Sequence, residues 1–232
     1  MASKTKNGGS AKDRVAAMRA VEKRKERLRW LVTLSVVGVI ILLLAGGALW
    51  AVNKSDDEKA EKETKTTAAR LAAGPPWSLP ADPTKAAKEM GLDVKGNMQE
   101  GNVNHFHLHV SVFVNGKAVP IPESLGISAA GDISELHTHD TRGVIHIESF
   151  HPDKTYTLDQ VFREWEVPLD AGTIGQFKTD ATHTLKIYVD GKEVGTDPTK
   201  VPLLKHQEVA VVYGTAADKV EVPATFKFEE GE

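Results

Sequence analysis

Seven of the nine histidines lie between residues 105 and 151. They fall into two groups. The first is His105, His107 and His109, in the run His-Phe-His-Leu-His-Val-Ser-Val-Phe-Val. Side chains on a strand alternate with a period of two, so these three histidines share one face. Phe106, Leu108, Val110, Val112 and Val114 make an unbroken apolar row on the other. The second group lies in Leu-His-Thr-His-Asp-Thr-Arg-Gly-Val-Ile-His-Ile-Glu, residues 136–148. A turn over Asp140 to Gly143 sets His137 opposite His146 and His139 opposite Val144. His137, His139, His146 and Glu148 then share one face, and Leu136, Ile145 and Ile147 share the other. A turn one residue shorter would break this partition.

Directly paired residues of an antiparallel ladder hold their Cβ atoms about 4.5–5.5 Å apart. That spacing lets two imidazoles converge on one ion at about 2.0–2.1 Å from each nitrogen. The chain has no cysteine, so thiolate ligands and disulfides are both excluded. The expected ligands of a transition metal are therefore His105, His107, His109, His137, His139, His146 and Glu148. Imidazole suits copper and zinc, and copper(II) heads the divalent series for nitrogen sites, so copper is expected ahead of zinc. The same residues admit other readings: a hydrogen-bonded His/Asp/Glu network, or a pH-sensing cluster. A metal-dependent enzyme with Glu148 or Asp140 as base is a further one. Asp140 reads as a turn residue rather than a ligand. His151 is an outlying candidate, Met98 a lone thioether, and His183 and His206 read as structural or solvated.

The elements that must position these residues are mostly strands. Strands are expected over 105–114, 117–121, 136–139, 144–148, 184–189 and 208–213, with a further one over Phe226 to Phe228. Asn115-Gly116 and Asp190-Gly191 are hairpin turn signals. Thr157 and Gln160 form a capping box before a helix over 158–166. Asp82-Pro83 and Gly91 bracket a short helix over 83–90. The fold class expected is mainly β (α+β), a single N-terminal transmembrane helix followed by a small antiparallel β-sheet domain with one or two short helices.

Charge divides the chain further. Residues 1–30 hold ten Lys/Arg against Asp13, Glu22 and Glu26, a net +7; the whole chain is −3, which leaves −10 for the remainder. Residues 31–52 carry no charged side chain, with Trp30 just before the run and Trp50 near its far end. At ~1.5 Å per residue such a run matches a bilayer core, with aromatic residues at its two interfaces. The organisation expected is a basic cytoplasmic segment over 1–30, a transmembrane helix over 31–52 and a stalk over 53–91. An extracytoplasmic β-rich domain follows over 92–232. The excess of Lys/Arg before the span places the N-terminus in the cytoplasm and the C-terminal domain outside the plasma membrane. The partners expected are the lipid bilayer and a metal ion. The basic segment lacks the aromatic interleaving of a nucleic-acid surface.

The motifs H-x-H-x-H-V-x-V-F-V-N-G-K-x-V-P-I-P, L-H-T-H-D-T-x-G-x-I-H-I-E-S and T-L-x-Q-V-F resemble a family of uncharacterised bacterial and archaeal extracytoplasmic domains, often found behind one N-terminal span. The resemblance covers roughly residues 100–215 and implies a membrane-anchored domain without implying a reaction. The order His137, His139, His146, Glu148 is also similar to the first cupin motif, although the intervening glycines and the second cupin motif are missing. That likeness underlies the oxygenase or hydrolase alternative. Carbonic anhydrases also use three strand-borne histidines, an analogy of geometry alone.

Overall fold

The computed structural model describes residues 11–96 and 103–232. Lys4, Lys6 and Met98 lie outside these residues. The chain divides into two compact units, 1–63 and 64–232. A helix, α1, covers Ala11–Ala72. Two hydroxyls in it, Thr33 and Ser35, donate to the carbonyls of Arg29 and Leu31, each at 2.9 Å. Among the described residues no helix is long and apolar enough to cross a membrane. Side chains of the apolar run over 31–52, such as Val32, Val36, Val37, Ile40 and Ile41, lie outside that set.

The second unit is an α+β fold. After α2 (Lys85–Glu89) come β1 (Val94–Lys95), β2 (Asn104–Val114), β3 (Lys117–Val119), β4 (Ile133–Ser134), β5 (Leu136–His137) and β6 (Val144–Ser149). Then follow α3 (Leu158–Glu164), β7 (Leu169–Asp170), β8 (Thr173–Ile174), β9 (Phe177–Lys178), β10 (His183–Val189), β11 (Lys192–Gly195) and β12 (Glu208–Thr215). The main sheet has the order β11-β10-β12-β2-β6-β5, with β3 also paired to β2. Both expected hairpins form. Asn115 and Gly116 have φ of 50° and 76°, and Asp190 and Gly191 have 48° and 75°. Two consecutive left-handed residues give the turn whose twist matches the flanking strands. The Gln160 side chain accepts from the Thr157 N–H at 2.9 Å and so starts α3 as its sequence implies.

Four expectations need correction. The sheet is mixed rather than antiparallel, because β12 runs parallel to β2, with Val209 beside Val110 and Val211 beside Val112. Glu208 to Val211 are all buried, as suits a central strand covered on both faces. The strand expected over 136–139 ends at His137. Thr138 leaves β6 and bonds to the preceding loop instead, its N–H to Leu125 and its hydroxyl to Pro122 at 2.7 Å. Residues 226–228 form no strand. The folded unit also starts before residue 92, since Trp77 and Ala87 sit in its core.

The core lies on the apolar face of β2, as its alternation requires. Leu108, Val110, Val112 and Val114 pack with Ile145, Ile147, Phe162, Trp165 and Ile187. Trp77 is only 1% exposed and meets Trp165 edge-on at 5.7 Å. Its indole lies where a Cβ on Gly175 would stand, 2.4 Å from the ring, so only glycine fits there. Arg70 ties the helix end to this layer by donating to the carbonyls of Ser78 and Glu166, both at 2.8 Å. Trp77→Ala is expected to cost about 3–5 kcal/mol in chemical denaturation. A loss below about 0.5 kcal/mol, the scale of a surface change, would show that this segment lies outside the cooperative fold.

Candidate metal centre

The register of three strands sets the site. β2 pairs with β6 so that His107 stands opposite His146 and His105 opposite Glu148. β5 pairs with the other edge of β6, with His137 opposite His146. One row across the sheet therefore reads His107, His146, His137. The His105 strand thus lies directly beside the second histidine segment. His139 follows the end of β5, yet its ring lies 4.8 Å from His137 and 4.5 Å from His146.

Among the described residues two histidine triads have ring nitrogens within 4.8 Å of one another: His137, His139 and His146, and His105, His107 and His146. They share His146. The faces differ from a simple solvent-facing sheet. His107 is 5% exposed and His137 1%, whereas His105 and His139 are exposed. Each triad thus has a buried inner end and an open outer one.

His137 is the best defined of the six. Its Nδ1 lies 2.9 Å from the Ser134 carbonyl, which can only accept, so Nδ1 carries the proton. Its Nε2 then presents a lone pair, and that atom is buried without a hydrogen-bond partner among the described residues. A fixed N–H on one nitrogen and a bare lone pair on the other is how a metal-binding imidazole is oriented. Behind it, Ser134 donates its hydroxyl to Glu164 at 2.5 Å. Burial pushes the Glu164 carboxyl well above the usual carboxylate range.

Electrostatics keep the inner rings neutral. Burial, with His146 and His139 nearby, lowers the His137 pKa to about 3. Burial and His105 lower His107 to about 4, and burial with His107 and His139 lowers His146 to about 4. Neutral imidazole is the form that binds a metal. Glu148 is buried between the triads. One of its oxygens, Oε1, lies 3.4 Å from His105 Nε2 and 3.9 Å from His137 Nε2.

His109 does not join the cluster. Its Nδ1 lies 2.5 Å from a Glu208 oxygen and its Nε2 2.7 Å from the Arg142 carbonyl. Both ring nitrogens are engaged, so no lone pair faces the other histidines. Its ring stacks on Phe226 at 3.8 Å and 7°. The segment after β12 thus crosses the histidine face as a strap. Arg142 holds it through Glu229 at 3.1 Å and through Glu232. Asp140 is a turn residue, accepting from the Arg142 N–H at 2.7 Å and from its guanidinium at 2.8 Å.

The remaining histidines lie outside the two triads. His183 pairs with Asp180 at 3.0 Å, and His206 stacks on Phe228. His151 groups with Asp93 and Glu135. Glu135 already accepts from Ser149 at 2.6 Å, Tyr156 at 3.0 Å and Lys154, so an ammonium fills that place. Sequence reasoning missed Ser134, Glu208 and Arg142, which orient or sequester histidines. Glu208 alone carried a signal, an acidic residue opening an otherwise apolar strand. Comparison of the chain with family models, curated proteins and solved structures finds no match.

Between pH 6.5 and about 4 the unfolded chain takes up protons at His107, His137 and His146 that the folded, metal-free chain refuses. Stability therefore rises with pH across this window and is lost as pH falls through it. Melting of the metal-free chain should drop from pH 6.5 to 4, less steeply in His137→Ala. Equal slopes in the two proteins would refute this assignment.

Proposed function

We propose that the 64–232 unit is a transition-metal-binding domain, with copper favoured over zinc, and that the first ion is held by His137, His139 and His146. The observation that carries this reading is the buried His137 Nε2, which has no hydrogen-bond partner among the described residues while its Nδ1 is tied to Ser134. Leaving a buried polar atom unpaired costs roughly 1–3 kcal/mol. An ion on that lone pair removes the cost. The donor set is all imidazole, with the Glu148 carboxylate nearby to offset charge, and imidazole suits copper and zinc. We place the domain outside the plasma membrane, anchored by the uncharged run over 31–52. The hydroxyls of Thr33 and Ser35, both satisfied within the helix, are compatible with a hydrocarbon setting. A scavenging or buffering role fits this position.

A pH switch is less well supported. The three inner histidines stay neutral across about pH 5–8, where such a device would have to charge.

The test is a thermal melt of the full, untagged chain in detergent, titrated with copper(II) and then zinc(II). Free metal at a hundred times Kd should add about 2.7 kcal/mol of stability. His137→Ala, and separately the exposed His139→Ala, should abolish most of the rise. No metal-dependent shift in the parent chain would contradict the proposal.

A further inference from the structure

We propose that His105, His107 and His146 form a second metal position beside the first, with His146 shared by the two ions through its two ring nitrogens. The inference rests on the metal-binding reading above and extends it.

Three observations point to two positions. The second triad has its own convergent nitrogens, within the same 4.8 Å as the first. β2 and β5 lie on opposite edges of β6, so His107 and His137 approach His146 from opposite sides. The His107 and His146 rings stand 4.3 Å apart and nearly perpendicular at 83°. Imidazole also has its two nitrogens on different sides of the ring, and each can serve one ion when neither keeps its proton.

Glu148 supplies the second argument. Two divalent ions side by side repel, and a site for both needs negative charge close to each. Glu148 Oε1 is within 4 Å of one histidine from each triad, His105 at 3.4 Å and His137 at 3.9 Å. A buried carboxylate thus reaches a histidine of each triad. The proton balance is simple. When the second ion binds, it replaces the remaining N–H proton of His146, and that proton leaves to water. No oxidation or reduction is involved.

The experiment is a copper(II) titration of the full, untagged chain in detergent against a competing chelator, followed by electron paramagnetic resonance. The parent chain should take up two equivalents. The spectrum should show an isolated ion at the first. At the second, the signal per copper should fall and a half-field transition should appear, because the two spins couple. His105→Ala changes an exposed residue and should leave the metal-free chain folded with a cooperative melt. It should stop at one equivalent with an uncoupled signal. A parent chain that binds one equivalent, lost in His139→Ala and kept in His105→Ala, would overturn the second position and leave the first standing. Two equivalents in both the parent and His105→Ala would also overturn it. No bound copper at all would overturn the metal-binding reading itself.

Discussion

The pairing of β2 with β6 fixes everything that follows. Leu108 opposite Ile145 and Phe106 opposite Ile147 put one set of side chains into the core. The alternate set, His107 opposite His146 and His105 opposite Glu148, must then emerge together on the other face. A slip of one residue would bury histidines among Phe162 and Trp165 and expose the isoleucines. Burial of Leu108, Ile145 and Ile147, each worth about 1.5–3 kcal/mol, therefore also holds the histidine register in place. β5 needs only two paired residues to join this arrangement, since Leu136 and His137 repeat the same division.

The histidine face is not a bare surface. The strap beyond β12 lies across its far end, where Phe226 stacks on His109 and Arg142 grips Glu229 and Glu232. Partial burial lowers the affinity of the inner rings for protons, because a charged imidazolium is poorly solvated there. The same environment favours a neutral ligand set. The two halves of the face are thus given different tasks by their partners. His109 is saturated by Glu208 and a backbone carbonyl, while His137 is saturated on one nitrogen only.

Much of this was legible in the sequence, for reasons that are local. The period of two separates His105, His107 and His109 from Leu108 and Val110. The apolar partition of Leu136, Ile145 and Ile147 sets His137 against His146, although the pairing stops at His137 and the connection runs over 138–143 instead of a tight turn at Asp140–Gly143. Asn115-Gly116 and Asp190-Gly191 reveal their hairpins because few other pairs tolerate positive φ at both positions. The unread parts depend on long-range contacts. His109 shares the parity of His107, and only the arrival of Glu208, placed by the parallel pairing of β12 with β2, removes it from the site. Trp77 sits in a stretch rich in proline and alanine, and its partners Trp165 and Gly175 are about ninety residues or more away. The strap carries aromatic and acidic residues with no period, so nothing in it announces the face it covers.

The central claim is that His137, His139 and His146 place imidazole nitrogens on a metal ion. X-ray absorption at the metal edge of copper-loaded, untagged protein tests it most directly. At one copper per chain the account predicts a first shell of nitrogen at about 2.0 Å with the multiple-scattering pattern of imidazole rings, weakened in His139→Ala together with copper uptake. A first shell of oxygen without imidazole scattering, or a spectrum unchanged by His139→Ala, would contradict it.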